Sequence, residues 1–146
     1  HFTLKFLGDV APGEIQDVFA AAQDAAEGGA TFVMDIETVG CFPNERNPRV
    51  VWASCGEGAD ELTALAQRVE DACEDLGYER EHRPFTPHLT LGRVKEPRDA
   101  EGLDKALAAA RDVAFGTVDV DELVVFMSDL RRTGAVYAPM HKVRLG

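Results

Sequence analysis

The sequence predicts an α+β fold in which a mainly antiparallel sheet carries helices on its outer side. Segments of alternating polar and apolar residues are interspersed with segments of helical periodicity, in the order βαββαβαββ. Both tight turns and helices connect the strand segments, which favours antiparallel pairing. The 146 residues, 45% of them hydrophobic, suffice for one domain with its own core.

The N-terminal part of the chain is predicted to form three strands and one helix. Residues 1–7 alternate, which indicates a strand with one apolar face and one face carrying histidine, threonine and lysine. Apolar residues then recur at helical spacing between a proline and a glycine pair, so we expect a helix over residues 12–27. Strands follow at 31–41 and 49–55, and the turn-forming residues between them favour a hairpin.

The remainder of the chain adds two helices and three strands. A helix over residues 59–76 has one apolar side, an acidic opposite side and a glycine at its end. A basic, proline-marked loop leads to a strand at 88–94, which repeats the pattern of the first strand. A short helix at 99–112 precedes two closing strands, 114–128 and 135–144, which a polar turn at 129–134 connects.

Net charge restricts the partners that the surface can bind. The formal charge of −11 and the isoelectric point near 4.7 repel polyanions at long range, so a nucleic acid would need a local basic groove. Acidic residues crowd the helical segments 57–81 and 98–112. Ten basic residues, nine of which lie outside these two segments, leave two interpretations open, a basic groove and scattered surface charge. They are Arg46, Arg49, Arg80, Arg83, Arg93, Lys95, Arg131, Arg132, Lys142 and Arg144.

Cysteine use and hydropathy favour a cytoplasmic protein without a membrane span. Cys41, Cys55 and Cys73 have neither the even number of a disulfide framework nor the close spacing of a zinc site, so we expect reduced packing residues. No stretch approaches the roughly 20 consecutive apolar residues that cross a bilayer. Neither a Walker loop nor a complete dinucleotide-binding glycine loop is found, and we expect no cofactor.

Two copies of the sequence His-x-Thr-Leu are the strongest functional signal. They begin at His1 and at His88, and each lies near the start of a predicted strand followed by a turn and a helix. Side chains at positions i and i+2 of a strand point to the same side, so each copy presents an imidazole together with the hydroxyl of Thr3 or Thr90. Strand residues satisfied by neighbours would explain one copy, but a matched pair favours chemistry.

The pair predicts acid and base catalysis on a phosphodiester. An imidazole titrates near neutral pH, so one copy can accept a proton while the other donates one. On a strained cyclic phosphate, the neutral histidine would deprotonate an attacking water and the protonated one would supply a proton to the departing ribose oxygen. The threonine hydroxyls would donate hydrogen bonds to the non-bridging oxygens, where charge develops. This scheme needs no metal.

These motifs resemble the paired signatures of a known family. The segments from His1 to Gly8 and from Thr86 to Arg93 are similar to those of the two-histidine phosphoesterases, specifically the RNA 2′,3′-cyclic phosphodiesterases once called 2′-5′ RNA ligases. The likeness covers nearly the whole chain. Its supporting segments are Phe42-Pro43, Pro48 to Trp52 and Leu123 to Leu145.

The resemblance implies a role for each motif residue. His1 matches the proton donor, which protonates the leaving 3′ oxygen, and His88 matches the proton acceptor. Thr3 and Thr90 match positions that contact the phosphate. The implied substrate is an RNA with a 2′,3′-cyclic phosphate end, and the implied product carries a 2′-phosphate. Weak reverse 2′-5′ RNA ligation is a further expectation.

The resemblance also implies a fold of two lobes related by a pseudo-twofold axis. Mainly antiparallel sheets would surround a central groove, with helices packed outside and one motif supplied by each lobe. Members of this family usually carry a strand and a helix before the first motif. We therefore expect residues 1–146 to form a single two-lobed, monomeric phosphoesterase domain that lacks this upstream segment.

Three further residues are candidates for substrate binding. Arg93 follows the second motif as in the family, but strict alternation places it on the face opposite His88 and Thr90, so a phosphate contact would require a bulge or a strand end. An ion pair is the alternative. Lys5 shares the polar face of the first motif, where a solvated lysine is the alternative. Phe42 could stack on a base.

Two other functions remain open on sequence grounds. The same chemistry could act on a small cyclic phosphate, such as a nucleotide or an ADP-ribose derivative. A binding module could instead hold RNA ends without turning them over. Tight, salt-sensitive binding without product would distinguish the binding module.

Overall fold

Helices and strands account for most of the chain. The computed structural model describes the backbone of residues 1–146 and every side chain except those of Pro97 and Asp99. Its helices are α1 (Ile15–Ala26), α2 (Ala59–Asp75) and α3 (Leu103–Ala110), with short 3-10 turns at Pro12–Glu14 and Pro97–Ala100. Its strands are β1 (Phe32–Phe42), β2 (Val50–Cys55), β3 (Leu89–Arg93), β4 (Ala114–Val120), β5 (Glu122–Arg131) and β6 (Gly134–Arg144). None of the helices described is long and apolar enough to span a bilayer.

Most of the predicted elements are confirmed, with their ends shifted by a few residues. The predicted helices 12–27 and 99–112 each begin with a 3-10 turn that contains a proline, and the α-helix starts after it. The strand pairs β1 with β2, β2 with β3 and β5 with β6 are antiparallel. The α+β class is therefore confirmed.

The predicted strand at residues 1–7 is wrong, because the structure assigns no strand there. Burial alternates over the first four residues as expected, but Phe6 is 75% exposed and the side chain of Lys5 turns inward. The Lys5 ammonium forms an ion pair with Glu70 of α2 at 2.6 Å. Alternation in a sequence reports which side chains prefer burial, whereas a strand also needs a neighbouring strand for its hydrogen bonds.

The predicted strand at 114–128 consists of two strands, β4 and β5, which are separated at Asp121 and belong to different sheets. The predicted turn at 129–134 is also shorter, since β5 pairs with β6 as far as Arg131 opposite Gly134. Polar residues can continue this ladder because the side chains near the tip of the hairpin are exposed on both faces.

The sheet that contains both β1 and β3 has the strand order β3-β2-β1-β4 and one buried face. On β1 the buried residues are Met34 and Ile36, followed after Thr38 by Val39 and Cys41. The change from even to odd positions follows from an irregularity at Thr38, whose φ is 59°. A β-bulge adds one residue to a strand and so reverses the face that the following residues occupy.

A second bulge reverses the faces of β3. The pairs Val50 with Arg93 and Trp52 with Thr90 leave Leu91 as an extra residue. Residues two positions apart on β2 point to the same side, and residues paired across strands share a side. Thr90 and Arg93 therefore lie on one face of the sheet despite their odd spacing.

The chain divides into two compact units, and the boundary between them falls within the first motif. Both motif histidines belong to the first unit. The expectation that each of two pseudo-symmetric lobes supplies one motif stays a prediction. The first unit contains His1–Thr3, Val33–Thr63 and Phe85–Asp119. The second unit contains Leu4–Phe32, Ala64–Pro84 and Val120–Gly146.

The second unit has a core of small and branched side chains. Ala22 and Ala26 lie on one side of α1 and pack with Leu65 of α2 and with Val143 and Leu145. Half-buried apolar side chains surround this cluster, and they include the last residue of the first motif. They are Leu4, Phe32, Val120, Leu123 and Val125.

The close approach of Trp52 to Gly40 generates a stability prediction. Gly40 lies opposite Trp52 in the ladder, and a Cβ at Gly40 would lie 2.5 Å from Cη2 of the indole. Gly40→Ala should displace the ring and lower the free energy of unfolding by about 1–3 kcal/mol, measured by urea denaturation. Trp52 is the single tryptophan of the sequence, so the fluorescence emission of the folded protein should shift as well.

Gly92→Ala on β3 is the matched control for this substitution. A Cβ at Gly92 would meet nothing within 4 Å, so overpacking is absent there. Equal losses of stability in the two variants would contradict the role assigned to Gly40.

Candidate active site

The ring of His88 has a fixed protonation pattern. Its Nδ1 lies 2.7 Å from the main-chain carbonyl oxygen of Thr86. A carbonyl oxygen only accepts hydrogen bonds, so Nδ1 must carry a proton, and the lone pair of the neutral ring resides on Nε2. The half-buried His88 can therefore accept a proton at Nε2 without changing its orientation.

The backbone around His88 is held by the neighbouring strand. Ser54 of β2 donates a hydrogen bond of 3.1 Å from Oγ to the carbonyl oxygen of Pro87. On the other side of His88, Leu89 pairs with Ala53 and begins β3. Ser54 was not predictable from the sequence, because a serine within an apolar strand gives no signal of what its hydroxyl contacts.

One aromatic side chain packs against this ring, and a second packs against the first. The Phe42 ring meets the His88 imidazole edge to face, with centroids 5.4 Å apart and planes at 84°. Phe42 also contacts Trp52, with centroids 5.2 Å apart, and Trp52 lies over Gly40. The substrate-binding role of Phe42 stays a prediction. These contacts give Phe42 a second role, since its ring limits the orientations available to His88.

Thr90 and Arg93 present exposed polar groups on the same face of the sheet as Trp52. The bulge at Leu91 is the feature that a phosphate contact by Arg93 required on sequence grounds. No ion pair or hydrogen bond among the described side chains engages the Arg93 guanidinium group. Its role in substrate binding stays a prediction, and the obstacle that strict alternation posed is removed.

His1 and Thr3 are exposed and belong to the same compact unit as His88 and Thr90. The fold thus collects the histidine and threonine of both motifs in one unit although the motifs lie far apart in the sequence. Leu4, the last residue of the first motif, packs against the core of the second unit and anchors the chain at the end of the motif. The catalytic roles of these four polar residues stay predictions.

Lys5 is engaged by neighbouring protein groups. Its Nζ donates hydrogen bonds to Glu70 Oε1 at 2.6 Å and to the main-chain oxygen of Glu79 at 2.9 Å. The other carboxylate oxygen of Glu70 accepts a hydrogen bond of 3.0 Å from the amide of Glu81. The Lys5 side chain is 8% exposed. Substrate binding by Lys5 stays a prediction, and these contacts give the residue a structural role in the second unit.

The cysteines behave as packing residues. All three are free, and Cys41 and Cys73 are buried. Burial raises the pKa of the thiol in Cys41 and Cys73, and the ammonium of Lys5 only partly offsets this effect in Cys73. A thiol with a raised pKa stays protonated at neutral pH and is a poor nucleophile. Among the described residues, no group of three or more His, Cys, Asp or Glu side chains could hold a metal ion.

Comparisons with known proteins identify the family. The model of the 2′-5′ RNA ligase superfamily matches residues 1–132. The chain is 34% identical to an RNA 2′,3′-cyclic phosphodiesterase of Methanothermobacter thermautotrophicus, over 99% of this chain and 78% of that protein. It is 33% identical to a protein of the same name from Aeropyrum pernix, over 99% of this chain and 81% of that protein.

The likeness extends to three-dimensional structure. The crystal structure of the protein TT0787 of Thermus thermophilus matches this fold with a TM-score of 0.78 and 32% identity. The match covers 99% of this chain and 77% of that one. The two motifs, the fold and nearly the whole sequence thus indicate the same family. The chain belongs to the 2′-5′ RNA ligase superfamily.

Proposed function

We propose that the protein hydrolyses 2′,3′-cyclic phosphate ends of RNA to 2′-phosphomonoesters by acid and base catalysis with His1 and His88, without a metal. The observation that carries the proposal is the hydrogen bond from His88 Nδ1 to the Thr86 carbonyl, which leaves Nε2 as the base. His1 lies in the same compact unit, and the relatives named RNA 2′,3′-cyclic phosphodiesterase support the substrate.

In the proposed reaction, His88 is the base and His1 is the acid. Nε2 of His88 takes a proton from water, and the water oxygen forms a bond to phosphorus. The bond from phosphorus to O3′ breaks, and His1 gives its proton to O3′, so the phosphate stays on O2′. Each proton transfer contributes roughly 10²–10⁴ to the rate. Solvent then removes the proton from His88 and returns one to His1.

Hydroxyl groups stabilise the charge that develops during this step. No hydrogen bond among the described residues engages the hydroxyl of Thr3 or Thr90, so both can donate to the non-bridging oxygens. If a 5′-hydroxyl of RNA replaced water as the attacking group, the product would be a 2′-5′ linkage. We propose this ligation as a weak side reaction.

Replacement of either motif histidine should abolish most of the activity. His1→Ala and His88→Ala should each lower kcat on an oligonucleotide 2′,3′-cyclic phosphate by at least about 10²-fold, because each removes one proton transfer. Hydrolysis should be followed in EDTA, with the position of the product phosphate read by phosphorus NMR. EDTA should leave the wild-type rate unchanged.

His82→Ala is the matched control. The side chain of His82 is 84% exposed, and its one ion pair among the described residues is with Glu79 at 3.4 Å. This variant should retain wild-type activity. Full activity in either motif variant would overturn the proposal. Tight, salt-sensitive RNA binding by a wild-type protein that forms no product would identify a binding module.

The pH dependence of kcat/KM should distinguish the two histidines. The wild-type rate should fall on both sides of an optimum, because acid protonates the base and alkali deprotonates the acid. The residual activity of His88→Ala should lose the acidic limb, and that of His1→Ala the alkaline limb. A profile with both limbs intact in either variant would contradict the assigned roles.

Arg93 is proposed to bind the phosphate, because the bulge at Leu91 places it on the face of Thr90. Arg93→Ala should raise KM for the cyclic phosphate by roughly 10-fold or more, since a charge-assisted hydrogen bond is lost. Arg93→Lys should have an intermediate KM, because a lysine retains the charge without the forked geometry. Wild-type kinetics in Arg93→Ala would exclude this contact.

A further inference from the structure

Three strand ends meet at the edge of the sheet next to Phe42. β1 ends there, Phe42 pairs with Val50 at the start of β2, and Val50 pairs with Arg93 at the end of β3. The loop over residues 43–49 therefore leaves and re-enters the sheet at this edge. Its closing contacts are short, since the Arg49 amide donates to the Phe42 carbonyl at 2.7 Å and the Arg49 carbonyl accepts from the amide of Val94 at 2.9 Å.

The same loop has internal contacts that fix its shape. Asn44 Oδ1 accepts hydrogen bonds from the amides of Arg46 and Asn47, both at 3.1 Å. Pro48 is buried, while Arg46 and Arg49 are exposed. A loop ordered in this way loses little conformational entropy when its side chains bind a ligand.

The charge of this edge differs from that of the rest of the protein. The loop's one acid, Glu45, is neutralised by an ion pair with Arg111 at 2.6 Å. No ion pair or hydrogen bond among the described side chains engages the guanidinium groups of Arg46, Arg49 or Arg93. Many other cationic groups are occupied by carboxylates. They include Lys5, Arg80, Arg83, Arg131, Lys142 and Arg144.

The loop also begins directly after a ring of the candidate active site. Phe42 contacts the His88 ring at 5.4 Å, and residue 43 starts the loop. A nucleic acid whose end lies at His88 and whose backbone passes Phe42 would meet guanidinium groups in a chain whose net charge is −11. Proteins usually bind single-stranded RNA with cationic side chains placed along the RNA backbone and with aromatic rings on which bases stack.

We propose that Arg46 and Arg49 bind phosphates of the RNA on the 5′ side of its cyclic end, so that the enzyme prefers oligonucleotides to mononucleotides. This inference rests on the proposed function, because it assigns the chain beyond the reacting phosphate. It separates an RNA-processing enzyme from one that acts on small cyclic nucleotides, since a mononucleoside 2′,3′-cyclic phosphate has no second phosphate for the loop to bind.

The test compares two substrates that share one reacting group. The probes are cytidine 2′,3′-cyclic phosphate and an oligoribonucleotide that ends in the same group, assayed over a range of NaCl concentrations. In Arg46→Gln/Arg49→Gln, the ratio of kcat/KM for the oligonucleotide to that for the mononucleotide should fall by roughly 10-fold or more. The slope of log kcat/KM against log salt for the oligonucleotide should flatten by about 1.4, as expected for two lost contacts to a single strand.

Arg131→Gln/Lys142→Gln is the charge-matched control, because it also removes two positive charges. Both residues lie in the second unit, where Arg131 is paired with Asp129 and Lys142 with Glu122, each at 2.8 Å. This control should keep the wild-type ratio and slope. A double variant of the loop whose ratio stays within twofold of wild type would overturn the inference. If the double variant of the loop fails to fold, each single variant must lower the ratio, and unchanged ratios in both would overturn it equally. A wild-type protein that cleaves neither probe would instead refute the proposed function.

Discussion

The alternation of side chains between the two faces of a strand is the constraint on which the candidate site depends. In a regular strand, side chains alternate between two faces, so residues an odd number of positions apart cannot act together on one face. In β3 a bulge adds one extra residue, Leu91, and so Thr90 and Arg93 lie on one side of the sheet. A regular strand would turn Arg93 toward the opposite face. The bulge thus determines which polar groups can face one ligand.

A β-bulge also determines which residues of β1 face the core. Because Thr38 is accommodated with a positive φ, the buried positions change from Met34 and Ile36 to Val39 and Cys41 without a break in the strand. The change leaves Gly40 and Phe42 on the other face, where Trp52 covers the glycine and Phe42 meets His88. Core packing and the position of Phe42 against the His88 ring are therefore set by one register.

Much of the fold could be predicted from the sequence, because helical spacing and turn residues report burial and chain reversal directly. The failures share one cause. Residues 1–7 alternate in hydropathy, yet the inward turn of Lys5 toward Glu70 depends on a residue of a distant helix. The single segment 114–128 is divided between two sheets, and no local pattern records which partner a strand will choose.

For the candidate site, the sequence provides the candidate residues. The repeated His-x-Thr-Leu marks four polar residues as candidates, because chemistry requires particular side chains at a particular spacing. The surroundings of His88 and of Arg93 were not predictable from the sequence. The partner of His88 is a main-chain carbonyl at Thr86, which any residue type would supply, and the bulge at Leu91 follows from pairing with β2.

The identity of that partner has a consequence for repeated turnover. A carboxylate in the same position would hold the imidazolium as an ion pair after each proton transfer, whereas a carbonyl offers only a partial charge. The ring orientation is therefore maintained by a neutral group, and no ion pair among the described side chains engages the ring. In the proposed mechanism the imidazole keeps this one orientation in both of its protonation states, since Nδ1 carries a proton in each.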